Sequence, residues 1–430
     1  MTGRTSGNRI GAAPSGKETT ATRVRELLLG GNEVALLDVR DEAVYASGHP
    51  LWAANLPLSA LEFDAPRRIP RRAVPLIVYG DGDLAAKAVD RLRHLGYTEV
   101  STLTDGLAGW SESGGELFSD VNVPSKAFGE LVAESRRTPS LDADSVLELI
   151  ESGADVVVVD VRTSGEYQTM SIPTATNVPG GELVLRIRTL APDPGTHVIV
   201  NCAGRTRSII GTQSLINSGF PNPVAALSNG TIGWVLSGRQ LDHGAHRYAP
   251  RLVDPEQRTH VAAGAKAVAE RAGARWIRHT DIATLNAGGA RTVYRFDVRT
   301  SAEFDRGHLP GFSHAPGGQL IQETDHWAPV RGARVVLTDD DAVRAPMTGS
   351  WLAQMGWEVW IVDDATAADR SEIGPPHART DRPASTPCAR YRRPYEGTDN
   401  PHDTMRAYLE WEYGLVDQLE RDGTHGFKII

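Results

Sequence analysis

Short apolar runs alternate with longer stretches of helical periodicity, and the alternation recurs three times. The run Leu36-Leu-Asp-Val-Arg-Asp-Glu-Ala-Val-Tyr45 returns as Val158-Val-Asp-Val-Arg-Thr-Ser-Gly-Glu-Tyr167 and as Arg295-Phe-Asp-Val-Arg-Thr-Ser-Ala-Glu-Phe304. Each copy ends an apolar strand on Asp-Val-Arg, at Asp38, Asp160 and Asp297, with offsets of 122 and 137 residues. Each then passes through Asn-Leu-Pro57, Asn-Val-Pro179 or His-Ala-Pro316 into a second apolar strand, Pro75–Tyr79, His197–Asn201 or Arg334–Thr338. A helical stretch follows, up to Gly96-Tyr97, Gly219-Phe220 or Gly356-Trp357, and copies one and two close on Gly-Leu-Ala-Gly-Trp110 and Gly-Thr-Ile-Gly-Trp234. Short strands alternating with helical patterns predict a parallel sheet flanked by helices on both faces. The fold class is therefore α/β, with three tandem domains at 18–117, 138–242 and 276–366, after a flexible N-terminus at 1–17. A C-terminal extension, 367–430, starts as a tether rich in Pro, Arg, Ser and Thr. It ends in an amphipathic helix over 403–419, with Met405, Tyr408, Leu409, Trp411, Leu415, Val416 and Leu419 at helical spacing. That helix is expected to pack on the preceding domains.

Length agrees with several domains, since 430 residues exceed what one ordinary core holds. A net charge of −9 argues against nucleic acid as a partner, because a phosphate backbone selects a basic face. No apolar run approaches the roughly 20 residues of a membrane helix, and Met1 to Lys17 shows no secretory pattern, so no membrane role is expected. Only Cys202 and Cys388 are thiols, too few for a disulfide framework or a four-thiolate zinc site, and they suit a reducing cytoplasm.

In open parallel sheets, ligands sit at the carboxyl ends of strands. After the second of these strands, copy two reads Asn201-Cys-Ala-Gly-Arg-Thr-Arg-Ser208, with a helix expected from Ile209; copy one reads Gly80-Asp-Gly-Asp-Leu84 and copy three Thr338-Asp-Asp-Asp-Ala-Val-Arg344. The offset puts Asp339 where Cys202 stands, and Gly80 takes the place in copy one. A strand–loop–helix turn aims amide N–H groups inward at the positive end of a helix dipole, which favours anions and thiolates. Arg205 and Arg207 are expected to add to that field and depress the Cys202 pKa, while Gly204 frees the backbone and Thr206 and Ser208 offer hydroxyls. A lone cysteine is more often a small core hydrophobe; two arginines and a glycine at a helix start favour a reactive one.

These residues resemble the rhodanese-homology family of sulfurtransferases over roughly Lys17 to Ala368, through the Asp-Val-Arg strands, the Cys202 loop and the Gly-x-x-Gly-Trp closures. The Cys202 loop and Asn229-Gly-Thr-Ile-Gly-Trp234 look most like multi-domain bacterial members found beside thiol-oxidising dioxygenases. The resemblance implies three rhodanese-like domains with only the middle one active. Cys202 would carry a sulfane sulfur as a persulfide, and Ala203, Gly204, Arg205, Thr206, Arg207 and Ser208 would hold the persulfide and an anionic donor. No cofactor or metal is implied. A small-molecule donor of the thiosulfate, mercaptopyruvate or glutathione persulfide type and a thiol acceptor are the partners, with a homodimer conceivable. Phosphatases on this fold use a longer Cys-x5-Arg cradle, whereas here position six is Ser208, so phosphatase or arsenate chemistry ranks lower. A persulfide sensor or scaffold that does not turn over is the non-enzymatic alternative.

Asp160, Arg162 and Glu166 support the site, but their recurrence in the other copies favours an internal ion-pair and capping network. Asp81, Asp83 and Asp339 to Asp341 would put carboxylates where an anion must sit, making copies one and three inert; consecutive aspartates more often cap a helix than hold a metal. Trp110 and Trp234 read as packing residues, His49 and His308 as turn residues, and Cys388 as an incidental exposed thiol.

Overall fold

The computed structural model describes residues 17–374 and 390–430. The N-terminus up to residue 16, most of the tether and Cys388 lie outside the described residues. Three five-stranded sheets form, one per repeat, and every strand pairing in them is parallel. Each sheet has the same order, first-fifth-fourth-second-third, so the fourth strand is central. In the middle domain these strands are Ser140–Leu141, Val156–Asp160, Thr176–Asn177, His197–Asn201 and Val224–Leu227. Valine and isoleucine fill the central strands because helices cover both faces, leaving no polar side to alternate with.

The Asp-Val-Arg motif is an internal brace. Arg162 Nε and Nη2 donate to the two Asp160 oxygens at 2.9 and 2.7 Å, and Nη2 also donates to the Met170 carbonyl at 2.6 Å. Asn201 Nδ2 donates to Asp160 Oδ2 at 3.0 Å, tying the second strand to the fourth just before Cys202. Asp38–Arg40 and Asp297–Arg299 repeat the arrangement, each arginine also donating to a backbone carbonyl eight residues on. A charge pair so deeply buried survives because nearly every donor and acceptor is used. Trp110 and Trp234 are fully buried and donate to the Glu116 and Gln240 carbonyls. His49 and His308 stack on Tyr45 and Phe304 in their turns.

The domains are fused by their cores. The largest apolar cluster runs through the first and third domains, the connecting helix Val123–Arg136 and the C-terminal Leu415, Leu419 and Phe427. Gly181 of the middle domain meets Gly317 and Gly318 of the third so closely that a β-carbon at 181 would lie 2.9 Å from the Gly318 nitrogen. Trp351 Nε1 donates to Ser214 Oγ at 2.9 Å across the same boundary. The apolar stripe over 403–419 forms two helices, His402–Tyr413 and Leu415–Asp422, broken at Gly414. Among the described residues, no helix is long and apolar enough to cross a membrane.

Candidate active site

Cys202 follows the central strand His197–Asn201, and the helix Thr206–Asn217 starts four residues later, earlier than the sequence suggested. Thr206, Arg207 and Ser208 therefore form a first helical turn, whose N–H groups have no carbonyl partner within the helix. From the other side, the helix Gly230–Leu236 fastens the loop. Thr231 donates to the Cys202 carbonyl through both N–H and Oγ1 at 2.9 Å, and Ile232 N–H donates to the Ala203 carbonyl at 2.9 Å. Gly230 sits at φ +53°, and a β-carbon there would lie 2.4 Å from the Cys202 carbonyl oxygen. The Gly-x-x-Gly-Trp closure thus owes its first glycine to close approach as well as to a left-handed φ.

The Cys202 side chain is 2% exposed. Its Sγ donates to Ser208 Oγ at 3.4 Å, and Ser208 Oγ donates in turn to the Arg205 carbonyl at 2.8 Å. Burial pushes the Cys202 thiol up, and Arg207, the Ser208 hydroxyl and the Ser208 N–H pull it only part of the way back. The expected net depression of the thiol pKa is thus overturned. Both guanidinium groups are already committed. Arg207 forks onto Glu166 at 2.9 and 2.7 Å. Burial works against the charge on each partner, but their attraction outweighs it, and the Glu166 carboxyl is held down at about 2. Arg205 forks onto Glu130 of the connecting helix at 2.8 Å through both Nε and Nη2, and its Nη1 donates to Tyr413 at 2.7 Å and to Asn229 at 3.2 Å. Desolvation and paired carboxylates cancel most of the field that two free arginines would supply.

The third domain shows what the cradle can hold. Asp339, at the Cys202 position, accepts N–H bonds from Ala342, Val343 and Ala345 at 3.2, 3.0 and 2.9 Å. By sequence offset the corresponding amides belong to Arg205, Thr206 and Ser208, but the two loops differ: Ala342 is left-handed at φ +56° and the helix starts at Arg344, whereas Arg205 is at φ −120° and the helix starts one position earlier, at Thr206. Arg344 matches Arg207, and its pairing with Glu303 at 2.7 Å matches Arg207–Glu166. Asp340, Asp341 and Glu182 complete the shell around Arg344, at 2.6 to 2.8 Å. These aspartates spend their oxygens on a helix start and an arginine, and no group of three His, Cys, Asp or Glu suited to a metal occurs among the described residues. Copy one has neither the arginine nor the thiol in its loop.

Sequence reasoning missed the residues that close the site. Tyr408 and Glu412 of the C-terminal helix lie over Gly204, where a β-carbon would be 3.2 Å from Tyr408 Cε1 and 3.0 Å from Glu412 Oε2. Tyr408 donates to Glu412 Oε1 at 2.7 Å, and Thr206 Oγ1 approaches the same oxygen at 3.5 Å. Met405, Tyr408 and Leu409 pack on Ala203 and Ile232. The signal was present in the stripe Met405, Tyr408, Leu409, where the next inward position, 412, is a carboxylate. Beside the site, a cavity of about 1500 Å³ opens between the three domains and the C-terminal extension, and Arg162, Glu166 and Tyr395 form part of its wall.

The rhodanese-like domain model matches residues 20–113, 142–237 and 283–368. A thiosulfate sulfurtransferase from Pseudomonas aeruginosa, solved by crystallography, is 46% identical with a TM-score of 0.92, over 96% of this chain and 100% of its own. A sulfurtransferase of Allochromatium vinosum is 28% identical over 98 residues, 23% of this chain and 89% of its own length. An HTH-type transcriptional regulator of Mycobacterium tuberculosis is 32% identical over 106 residues, 24% of this chain, which spans only 46% of that regulator's length. With three matched domains covering most of its length and a thiol in the middle one alone, the chain belongs to the rhodanese-like domain family.

Proposed function

We propose that this protein is a rhodanese-type sulfurtransferase that moves a sulfane sulfur from a small anionic donor to a thiol acceptor through a persulfide on Cys202. The observation that carries the reading is a lone thiol set between the central strand and the start of the helix Thr206–Asn217, at the position where Asp339 of the third domain accepts three backbone N–H bonds. The unpaired N–H groups of that helix start suit an anionic donor or a persulfide. The 46% identity to a thiosulfate sulfurtransferase over nearly the whole chain supports the same reading.

Cys202 Sγ attacks the outer sulfur of the donor. The new S–S bond forms as the bond between that sulfur and the rest of the donor breaks, and the electron pair leaves with the donor remnant, sulfite in the case of thiosulfate. An acceptor thiolate then attacks the outer sulfur, and the pair of the breaking S–S bond returns to Cys202. Glu166 keeps Arg207 in place beside the loop, and Asp160 and Arg162 brace the strand behind it. Donors of the thiosulfate, mercaptopyruvate and glutathione persulfide types all meet the requirement of an anionic group next to a sulfane or transferable sulfur.

Intact-mass spectrometry after incubation with each donor tests this. A gain of about 32 Da on the Cys202 peptide, discharged by added thiol over many turnovers, is the expected result for covalent transfer. No gain with any donor would overturn the reading. The deep burial of Cys202 favours one second reading, a persulfide sensor, which predicts stoichiometric labelling without turnover.

A further inference from the structure

Resting on the sulfur-transfer reading, we propose that Arg205 is a positioning residue of the Cys202 loop, held in place by Glu130 and Tyr413 from outside the middle domain. The clasp is built around one guanidinium. Glu130 of the connecting helix Val123–Arg136 is buried and accepts from Nε and Nη2, each at 2.8 Å. The Tyr413 ring centroid lies 4.0 Å from the guanidinium carbon, and Nη1 donates to the Tyr413 hydroxyl at 2.7 Å and to Asn229 Oδ1 at 3.2 Å. That hydroxyl donates in turn to Asn229 Oδ1 at 2.9 Å, and Asn229 leads straight into Gly230 and Thr231, which fasten the Cys202 carbonyl. Within the loop, the Arg205 carbonyl accepts from Ser208 Oγ at 2.8 Å, and the same oxygen meets Cys202 Sγ at 3.4 Å. Arg205 therefore joins the hydrogen-bond partner of the sulfur to two distant segments.

The distribution of the clasp among the copies points to function. A purely architectural tie would recur at the repeat period, as the Asp-Val-Arg brace does. Copy three carries Ala342 at the Arg205 offset, copy one has no arginine in its loop, and Glu130 and Tyr413 belong to segments outside the repeat. Among the described residues, the clasp is confined to the copy that holds the thiol. The connecting helix is also close enough to set the first turn. A β-carbon on Gly129 would lie 2.8 Å from Thr206 Cγ2 and 3.3 Å from Thr206 Cα. With its guanidinium turned to Glu130 and Tyr413, Arg205 serves the shape of the loop instead of the charge of the donor. A fork of this kind needs the planar guanidinium, because a lysine keeps the charge but not the paired bonds. Sulfur transfer needs the two sulfurs in line, so a displaced loop slows the reaction more than it weakens binding.

Steady-state transfer from thiosulfate to dithiothreitol by the full chain tests the assignment. Glu130→Gln and Arg205→Gln should each lower kcat about tenfold and change the thiosulfate KM less than about threefold. The double variant should lose no more than either single one, because both changes remove the same bond. Arg205→Lys should behave like Arg205→Gln. Tyr413→Phe, at a half-exposed position, keeps the ring and should lower kcat about threefold. Native kcat in Glu130→Gln or Tyr413→Phe would overturn the proposal, as would multiplying losses in the double variant. Rescue by Arg205→Lys, or a raised thiosulfate KM at native kcat in Arg205→Gln, would return Arg205 to the donor and overturn it too. In each of these cases the sulfur-transfer reading stands, whereas absence of transfer in the native protein removes both.

Discussion

At the scale of residues, the chemistry divides into what one position determines and what its partners determine. Cys202 stands out in the sequence because a thiol directly after an apolar strand, followed by Gly204 and two arginines, has no ordinary core explanation. The roles of those arginines could not be read the same way. Arg205 finds Glu130 and Tyr413, 75 and 208 residues away, and no local spacing announces either pairing. Without them the arginines read as bare charge, and the thiol pKa takes the wrong sign. Alkylation of Cys202 against pH should therefore show a midpoint above that of an ordinary exposed thiol, and Arg207→Ala should move it higher still. A midpoint near neutrality would contradict the dominance of burial. Glu166 titrates in the opposite sense. Its carboxyl lies below its unfolded value, so the stabilisation from Arg207 is present above pH about 4.5 and is lost as the pH falls toward about 2. Thermal melts of Glu166→Gln should accordingly lose part of the native protein's acid limb.

At the scale of elements, two strands of each five-stranded sheet and the amphipathic C-terminal stripe were legible from periodicity, while the helix after Cys202 starts three residues before the expected Ile209. Two features were not. The stripe breaks at Gly414, which lets its first helix lie on the Cys202 loop while the second enters the shared core. The Gly-x-x-Gly-Trp closure proves to be a clamp on the loop's carbonyls, which repetition alone could not distinguish from packing. Gly230→Ala combines a left-handed φ with a close backbone contact. It should cost about 1–3 kcal/mol in chemical denaturation and depress transfer together with stability. Glu412 gives stability a pH dependence of its own. A carboxyl raised by burial is held protonated in the fold, so native stability declines as the pH rises from about 4.5 through about 7. At pH 8 Glu412→Gln should therefore melt higher than the native protein, the reverse of what a damaged fold would give.

At the scale of the whole molecule, the threefold repeat was plain from the Asp-Val-Arg strands, whereas the association of the domains was hidden. The links Gly181–Gly317, Trp351–Ser214 and Arg344–Glu182 each join one domain to another, and none recurs at the repeat period. With one apolar cluster running through the first and third domains and both ends of the C-terminal extension engaged, heat should unfold the described body in a single cooperative transition. Separate calorimetric peaks for individual domains would argue against so much shared core. The third domain holds an aspartate in place of the thiol and satisfies its own loop amides with that carboxylate.

The helix His402–Tyr413, which lies on Gly204 of the Cys202 loop, bears on the order in which the protein is made. Its residues leave the ribosome some two hundred positions after Cys202, so the loop is made long before the helix that covers it. Chains released before residue 402 should leave the Cys202 loop uncovered at Gly204, and Cys202 in them should alkylate faster than in chains that carry the helix.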